Sequence, residues 1–211
     1  MKTLYRANRV RTLTLLPEGE WVLVDERHVE RVGSGDPPPA DRTVDLPGTT
    51  IFPGFVDAHV HLSGTGMALH GLNLAGTASR DEALRLSREY AAKDLGPVMG
   101  QGFDETRWAD PALPTRIDLD ALSSEPVLLV RTDGYVSVGN TALLQAAEVE
   151  AMNGAERGSD GQPTGVLREE ANARAQLWYF QSLPDRVIGE AQLAAGGVAG
   201  ARGVTAVQEM A

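Results

Sequence analysis

The chain has 211 residues, 42% of them hydrophobic and 23% charged, which is the balance of a water-soluble domain with a sizeable core. A formal net charge of −10 argues against nucleic acid and anionic membrane surfaces as partners, because both recruit basic patches. The absence of cysteine excludes disulfides, thiolate metal sites and a cysteine nucleophile, and it fits a reducing cytoplasm.

In chain order, short β-prone runs come first: Leu4–Val10, Thr12–Leu16, Trp21–Asp25 and His28–Val32. Pro17-Glu18-Gly19-Glu20 reads as a hairpin-like break, and Val22 and Val24 alternate as in a half-buried strand. His28, beside Glu26 and Arg27, reads as a solvated turn residue. Gly33 to Pro39 is a loop, since its prolines cannot join a ladder. Thr43–Leu46 resumes a strand and Pro47-Gly48 turns the chain. Residues 1–50 are therefore predicted to form a small antiparallel β unit. The start of the chain lacks the apolar run of a signal peptide, and no stretch reaches the roughly 20 apolar residues that span a bilayer. A soluble, cytoplasmic protein is the expectation.

Residues 51–62 carry the chemistry. They are predicted to form one buried strand, in which alternation places Asp57, His59 and His61 on one face. Two residues along a strand span about 6.6 Å, so two imidazoles can converge on one metal ion at about 2 Å each. A bare His-x-His is more often a surface pair or a satisfied core pair than a metal site. Leu62 to Gly66 reads as a small-residue loop at the strand's carboxyl end, and His70 as a packed or edge histidine. Ser79 with Glu82 forms a capping-box pattern that opens a helix to about Lys93, ended by Gly96-Pro97.

Beyond it, Val98 to Asp104 reads as a strand entering a glycine turn, but the third glycine of a phosphate loop is missing. Asp104, Glu105 and Arg107 with Trp108 either line a substrate pocket or form a solvated loop with an anchoring tryptophan. Pro126–Arg131 is a buried strand leading into the turn at Asp133, Gly134 and Tyr135, and Asn140 caps a short helix. Residues 158–165 read as a polar loop and Val166–Gln181 as a helix carrying Glu169 and Glu170. Adjacent carboxylates on a helix point about 100° apart, so at most one faces a site. A final helix from Arg186 to about Ala201 precedes a buried strand, Val204–Met210, in βα order.

The segment PGFVDAHVHL resembles the first barrel strand of the amidohydrolase superfamily. GQGFDETRW, PTRIDLDAL, PVLLVRTDG with GNTALL, DGQPTGVLREEA and RGVTAVQEM resemble, in order, the branch that contains N-substituted formamide deformylases and related metal-dependent hydrolases. The resemblance implies an α/β fold: the start of a (β/α)₈ barrel, with a small β-sandwich unit built from both chain ends, of which residues 1–50 are the N-terminal part, and an α+β insertion after the first barrel strand. The first barrel strand, its loop and a helix would occupy 51–95, the insertion 96–182, and a helix with a second barrel strand 183–211. It implies one or two divalent ions, usually zinc, with His59 and His61 as ligands and an activated hydroxide attacking the carbonyl of a small amide, N-formyl or N-acyl substrate. Asp57, Asp104, Trp108, Asp133, Tyr135 and Glu169 would stand behind the ligands or on the substrate side. No further histidine follows His70, whereas a catalytic zinc wants three protein ligands. The expectation is thus an N-terminal portion whose barrel is incomplete and in which no residue with a catalytic role is identifiable. Tyr135 and Gln208 stand where the family often has histidine. A non-catalytic barrel piece or binding module, a ring deaminase and a homo-oligomer remain open alternatives.

Overall fold

A computed structural model describes residues 1–210, which divide into two compact units. The first comprises Met1–Ala58 with Arg202–Gln208, and the second His59–Ala201 with Glu209 and Met210.

In the first unit, β1 (Lys2–Val10), β2 (Gly19–Asp25), β3 (His28–Gly33) and β4 (Arg42–Ile51) form a sheet of order β3-β2-β1-β4. Leu4, Trp21 and Leu23 are buried on one face, and the Trp21 indole donates to the Gly35 carbonyl at 3.2 Å. The other face offers an apolar groove bounded by Val22, Val24, Val29, Val32, Leu46 and Phe52. Three expectations change here. The unit predicted to be antiparallel is a mixed sheet, in which β4 runs parallel to β1. Thr12–Leu16 is a loop whose Leu13 has a φ of 55° and whose Thr12 hydroxyl donates to the Leu16 carbonyl. The predicted turn at Pro47-Gly48 lies inside β4, as an irregularity that Asn8 Oδ1 stabilises by accepting from Gly48 N.

In the second unit, a mixed six-stranded sheet has the order β10-β11-β9-β8-β7-β6. Its strands are β6 (Leu72–Asn73), β7 (Val98–Phe103), β8 (Val127–Arg131), β9 (Val136–Gly139), β10 (Ala155–Arg157) and β11 (Pro163–Arg168). β6, β7 and β8 are parallel, and the remaining pairs are antiparallel. Strand alternation sends Val127 and Leu129 to one face, with Phe103, Trp108, Ala83 of α2 (Arg80–Ala91) and Leu119 of α3 (Arg116–Asp120). Leu128 and Val130 point to the other, where they meet Leu143 of α4 (Thr141–Ala146) and Ala171, Ala175 and Tyr179 of α5 (Glu169–Ser182). Strands apolar on both faces need helices on both faces, and the chain supplies them.

The helix starts follow the capping rules. Ser79 accepts from Glu82 N, and Asn140, only 1% exposed, accepts from Leu143 N and Val127 N while donating to the Ser123 and Glu125 carbonyls. Every polar atom of that buried amide is used. Residues 163–168 form a strand rather than the predicted loop and helix start, because β9 offers an edge to pair with.

The remaining elements are α1 (Leu62–His70), α6 (Asp185–Ala201), β5 (Phe55–Val60) and β12 (Val204–Glu209), the last two paired as a two-stranded sheet. Phe55 N donates to Gly203 O and Met210 N to Val60 O, so residue numbers rise together and the strands are parallel. Both were predicted buried; both are almost wholly exposed. An apolar run is buried only where layers cover both of its faces, and among the described residues no closed barrel supplies them.

Candidate metal-binding strand end

His59 lies on β5, and His61 is the residue from which α1 begins, with its carbonyl accepting from Thr65 N. Helix α1 replaces the predicted small-residue loop. Its Gly, Ser and Thr content disfavours a helix locally, but a Cβ at Gly66 would collide with the Ala191 carbonyl, so glycine lets α1 lie directly against α6. Gln192 Nε2 of α6 also donates to Ser63 Oγ at 2.8 Å.

The two imidazoles stand edge to face with ring centres 5.7 Å apart. Rings sharing one zinc at tetrahedral angles and about 2 Å would be separated by roughly 5 Å. His61 Nδ1 lies 2.8 Å from the Met210 carbonyl oxygen. A carbonyl only accepts, so Nδ1 carries a proton, and in the neutral ring Nε2 keeps the lone pair a metal needs. Leu62 N and Ser63 N, the first donors of α1, reach Glu209 Oε2 at 2.5 Å and Oε1 at 3.4 Å. Sequence reasoning passed over Glu209; a carboxylate 147 residues away carries no local signature.

The donor set is partial. At His61 a nitrogen donor in a tautomer suited to a divalent ion is present, yet among the described residues no group of three or more His, Cys, Asp or Glu side chains is placed to hold a metal. His59 and His61 fit as two ligands of such an ion and do not complete its coordination.

The other candidates fall in different places. Asp57 lies on β5 in the first unit. Asp104 caps a 3-10 turn (Glu105–Arg107), with Oδ1 accepting from the Thr106 hydroxyl at 2.6 Å. Trp108 is a core anchor rather than a substrate contact: it is 5% exposed, lies against Phe103 and donates to the Thr77 carbonyl at 2.8 Å. Asp133 binds Arg131 at 2.8 Å and accepts from Tyr135 N at 3.0 Å, while the Tyr135 ring is 78% exposed. Arg131 also bonds Glu105 at 3.0 Å, tying the 105–107 turn to the 132–135 turn. Glu169 opens α5 with a φ of 46°, and its Oε2 accepts from Asn153 Nδ2 at 3.1 Å. Sequence reasoning also gave Arg131 no role; the link it makes is tertiary. His28 and His70 are both exposed, at the start of β3 and the end of α1.

A parallel strand pair with its helices, and two histidines at the carboxyl end of the first strand, define an α/β protein with a candidate metal-binding strand end. Comparison with known proteins agrees. The sequence profile described as "Amidohydrolase family" matches residues 42–211, and the chain belongs to that family. The amidohydrolase-named protein YtcJ of Bacillus subtilis (strain 168) is 34% identical over 155 residues, covering 69% of this chain and 28% of that protein. N-substituted formamide deformylase of Arthrobacter pascens is 29% identical over 167 residues, 71% of this chain and 31% of the enzyme. The chain thus spans less than a third of the length of these two relatives. The crystal structure of an uncharacterized metal-dependent hydrolase from Pyrococcus horikoshii superposes on 100% of this chain and 43% of its own, with a TM-score of 0.75 at 20% identity, which shows a shared fold.

Proposed function

We propose that this chain is the N-terminal portion of a metal-dependent hydrolase that cleaves a non-peptide carbon–nitrogen bond in a small amide, N-formyl or N-acyl substrate. The observation that carries the reading is the His59-x-His61 pair at the carboxyl end of β5, with the His61 Nδ1 proton held by the Met210 carbonyl, which leaves His61 Nε2 with the lone pair a metal would need. Zinc is the ion proposed, one or two per site; a bound divalent ion supplies a hydroxide at neutral pH and polarises the carbonyl. This chain's own part is to hold two imidazoles in the right tautomer and orientation. β5 and β12 would be the first two strands of the barrel, residues 1–50 one layer of a sandwich, and residues 96–182 an insertion bordering the substrate. On that border Asp104, Asp133, Tyr135 and Glu169 are the proposed substrate-side groups, and Asp57 orients the histidine pair. The cytoplasm is the proposed location.

The test is hydrolysis of an N-formyl or N-acyl amide by the whole natural protein loaded with zinc. His61→Ala should abolish turnover; turnover at the parent rate would sink the assignment. A second reading, favoured by the two-ligand donor set, is that the 211 residues alone are non-catalytic. Calorimetric zinc titration separates the two, since stoichiometric tight binding by the isolated chain argues against it. Ring deamination, which the same donors would also support, is told apart by ammonia release from an aminated heterocycle.

A further inference from the structure

Helix α1 begins without a cap of its own. Its N-cap position is His61, whose side chain makes no capping bond, yet the first N–H groups of a helix need acceptors. Leu62 N and Ser63 N find them on the carboxylate of Glu209, at 2.5 and 3.4 Å. The next residue, Met210, takes the Nδ1 proton of His61 on its carbonyl, and its N–H donates to Val60 O. The end of β12 therefore grips the chain on both sides of His61 and also grips its ring. An anionic cap at a helix N-terminus is favoured by the helix dipole as well as by the bonds themselves.

We infer that Glu209 is the positioning residue for His61: by capping α1 it holds Met210 against the imidazole and keeps Nε2 unprotonated and in place for a metal. The inference rests on the proposed metal-site reading for its purpose but not for its geometry. Both carboxylate oxygens face the first N–H groups of α1, and among the described residues no group of three or more His, Cys, Asp or Glu side chains is placed to hold a metal, so the role assigned to Glu209 is to position His61. Groups that orient a ligating histidine commonly change metal affinity about 10- to 100-fold when removed.

The experiment compares the chain with Glu209→Ala, Glu209→Asp and Glu209→Gln, using circular dichroism to establish folding. Long-range ¹⁵N–¹H spectra read the tautomer of each histidine, and Zn²⁺ alone is titrated by calorimetry. In the parent chain His61 should show the Nδ1–H form. Glu209→Ala should shift His61 to a mixture rich in Nε2–H, leave His28 and His70 unchanged, and weaken Zn²⁺ binding about tenfold or more. Glu209→Asp should fall between, and Glu209→Gln, which keeps an acceptor oxygen at the same reach, should hold the Nδ1–H form and most of the affinity. An Nδ1–H His61 in folded Glu209→Ala overturns the inference. So does a Gln variant that loses Zn²⁺ as fully as the Ala variant while His61 keeps its tautomer, because that pattern marks a direct ligand. If the Ala variant does not fold, the Gln variant decides: loss of the Nδ1–H form there is equally fatal. Should the parent chain bind no Zn²⁺, the metal reading fails for this chain while the tautomer comparison still decides the role of Glu209.

Discussion

The six-stranded sheet and the β5–β12 ribbon are built from similar residues and end in opposite states. In the sheet, Leu128, Leu129 and Val138 are fully buried, and the nearby Asn140 has all its polar atoms bonded. In the ribbon, Phe55, Val56 and Val207 are exposed, and the polar groups gather at one end around His61 and Glu209. The sheet is covered by helices on both faces, so its apolar pattern becomes stability. The ribbon has the pattern without the cover among the described residues.

The sharpest way to break this contrast is to delete the same kind of atom in both regions. Phe103→Ala, at a site with no exposure, should cost about 3–5 kcal/mol in denaturant unfolding. Val56→Ala, 67% exposed, should stay within about 0.5 kcal/mol. Equal losses would show the ribbon to be packed in solution.

A pH titration probes the sheet's helical cover next. Burial, with the neighbouring Tyr90 adding to it, pushes the Tyr179 phenol up to about 12, partly offset by a backbone hydrogen bond at Met99. The folded chain then holds this proton more tightly than the unfolded chain. Its contribution is complete below about pH 10 and is lost as pH rises toward about 12. Stability measured across that window should fall by about 2 kcal/mol, and Tyr179→Phe should remove that part of the slope.

Ser137 marks the smallest effect. Its buried hydroxyl has no partner among the described residues, so Ser137→Ala loses no hydrogen bond and should stabilise the sheet by up to about 1 kcal/mol in the same denaturant assay. A destabilised variant would reveal a bonded water.

Where acceptors and donors lie close in sequence, the structure was legible in advance. Ser79 and Asn140 cap the helices they precede, and β7, β8 and α6 fall where apolar runs and breakers place them. The errors cluster where a distant neighbour decides. Thr12–Leu16 has strand-like residues but no ladder, β11 forms because β9 receives it, and the loop composition of residues 62–66 yields to α6. Of the candidate site, the histidine pair was readable from its spacing. Trp108 was offered two roles by its sequence, and burial under Thr77 and Phe103 selected the anchor.

By itself, the sequence determined the family, the two imidazoles and the βα order, because a motif and a period of two are local properties. Tertiary structure alone decided what His61 is bonded to. A carbonyl nearly 150 residues away reaches its ring, and a carboxylate beside that carbonyl caps the helix that follows it, through the pairing of β12 with β5, which leaves no trace in the spacing of either strand.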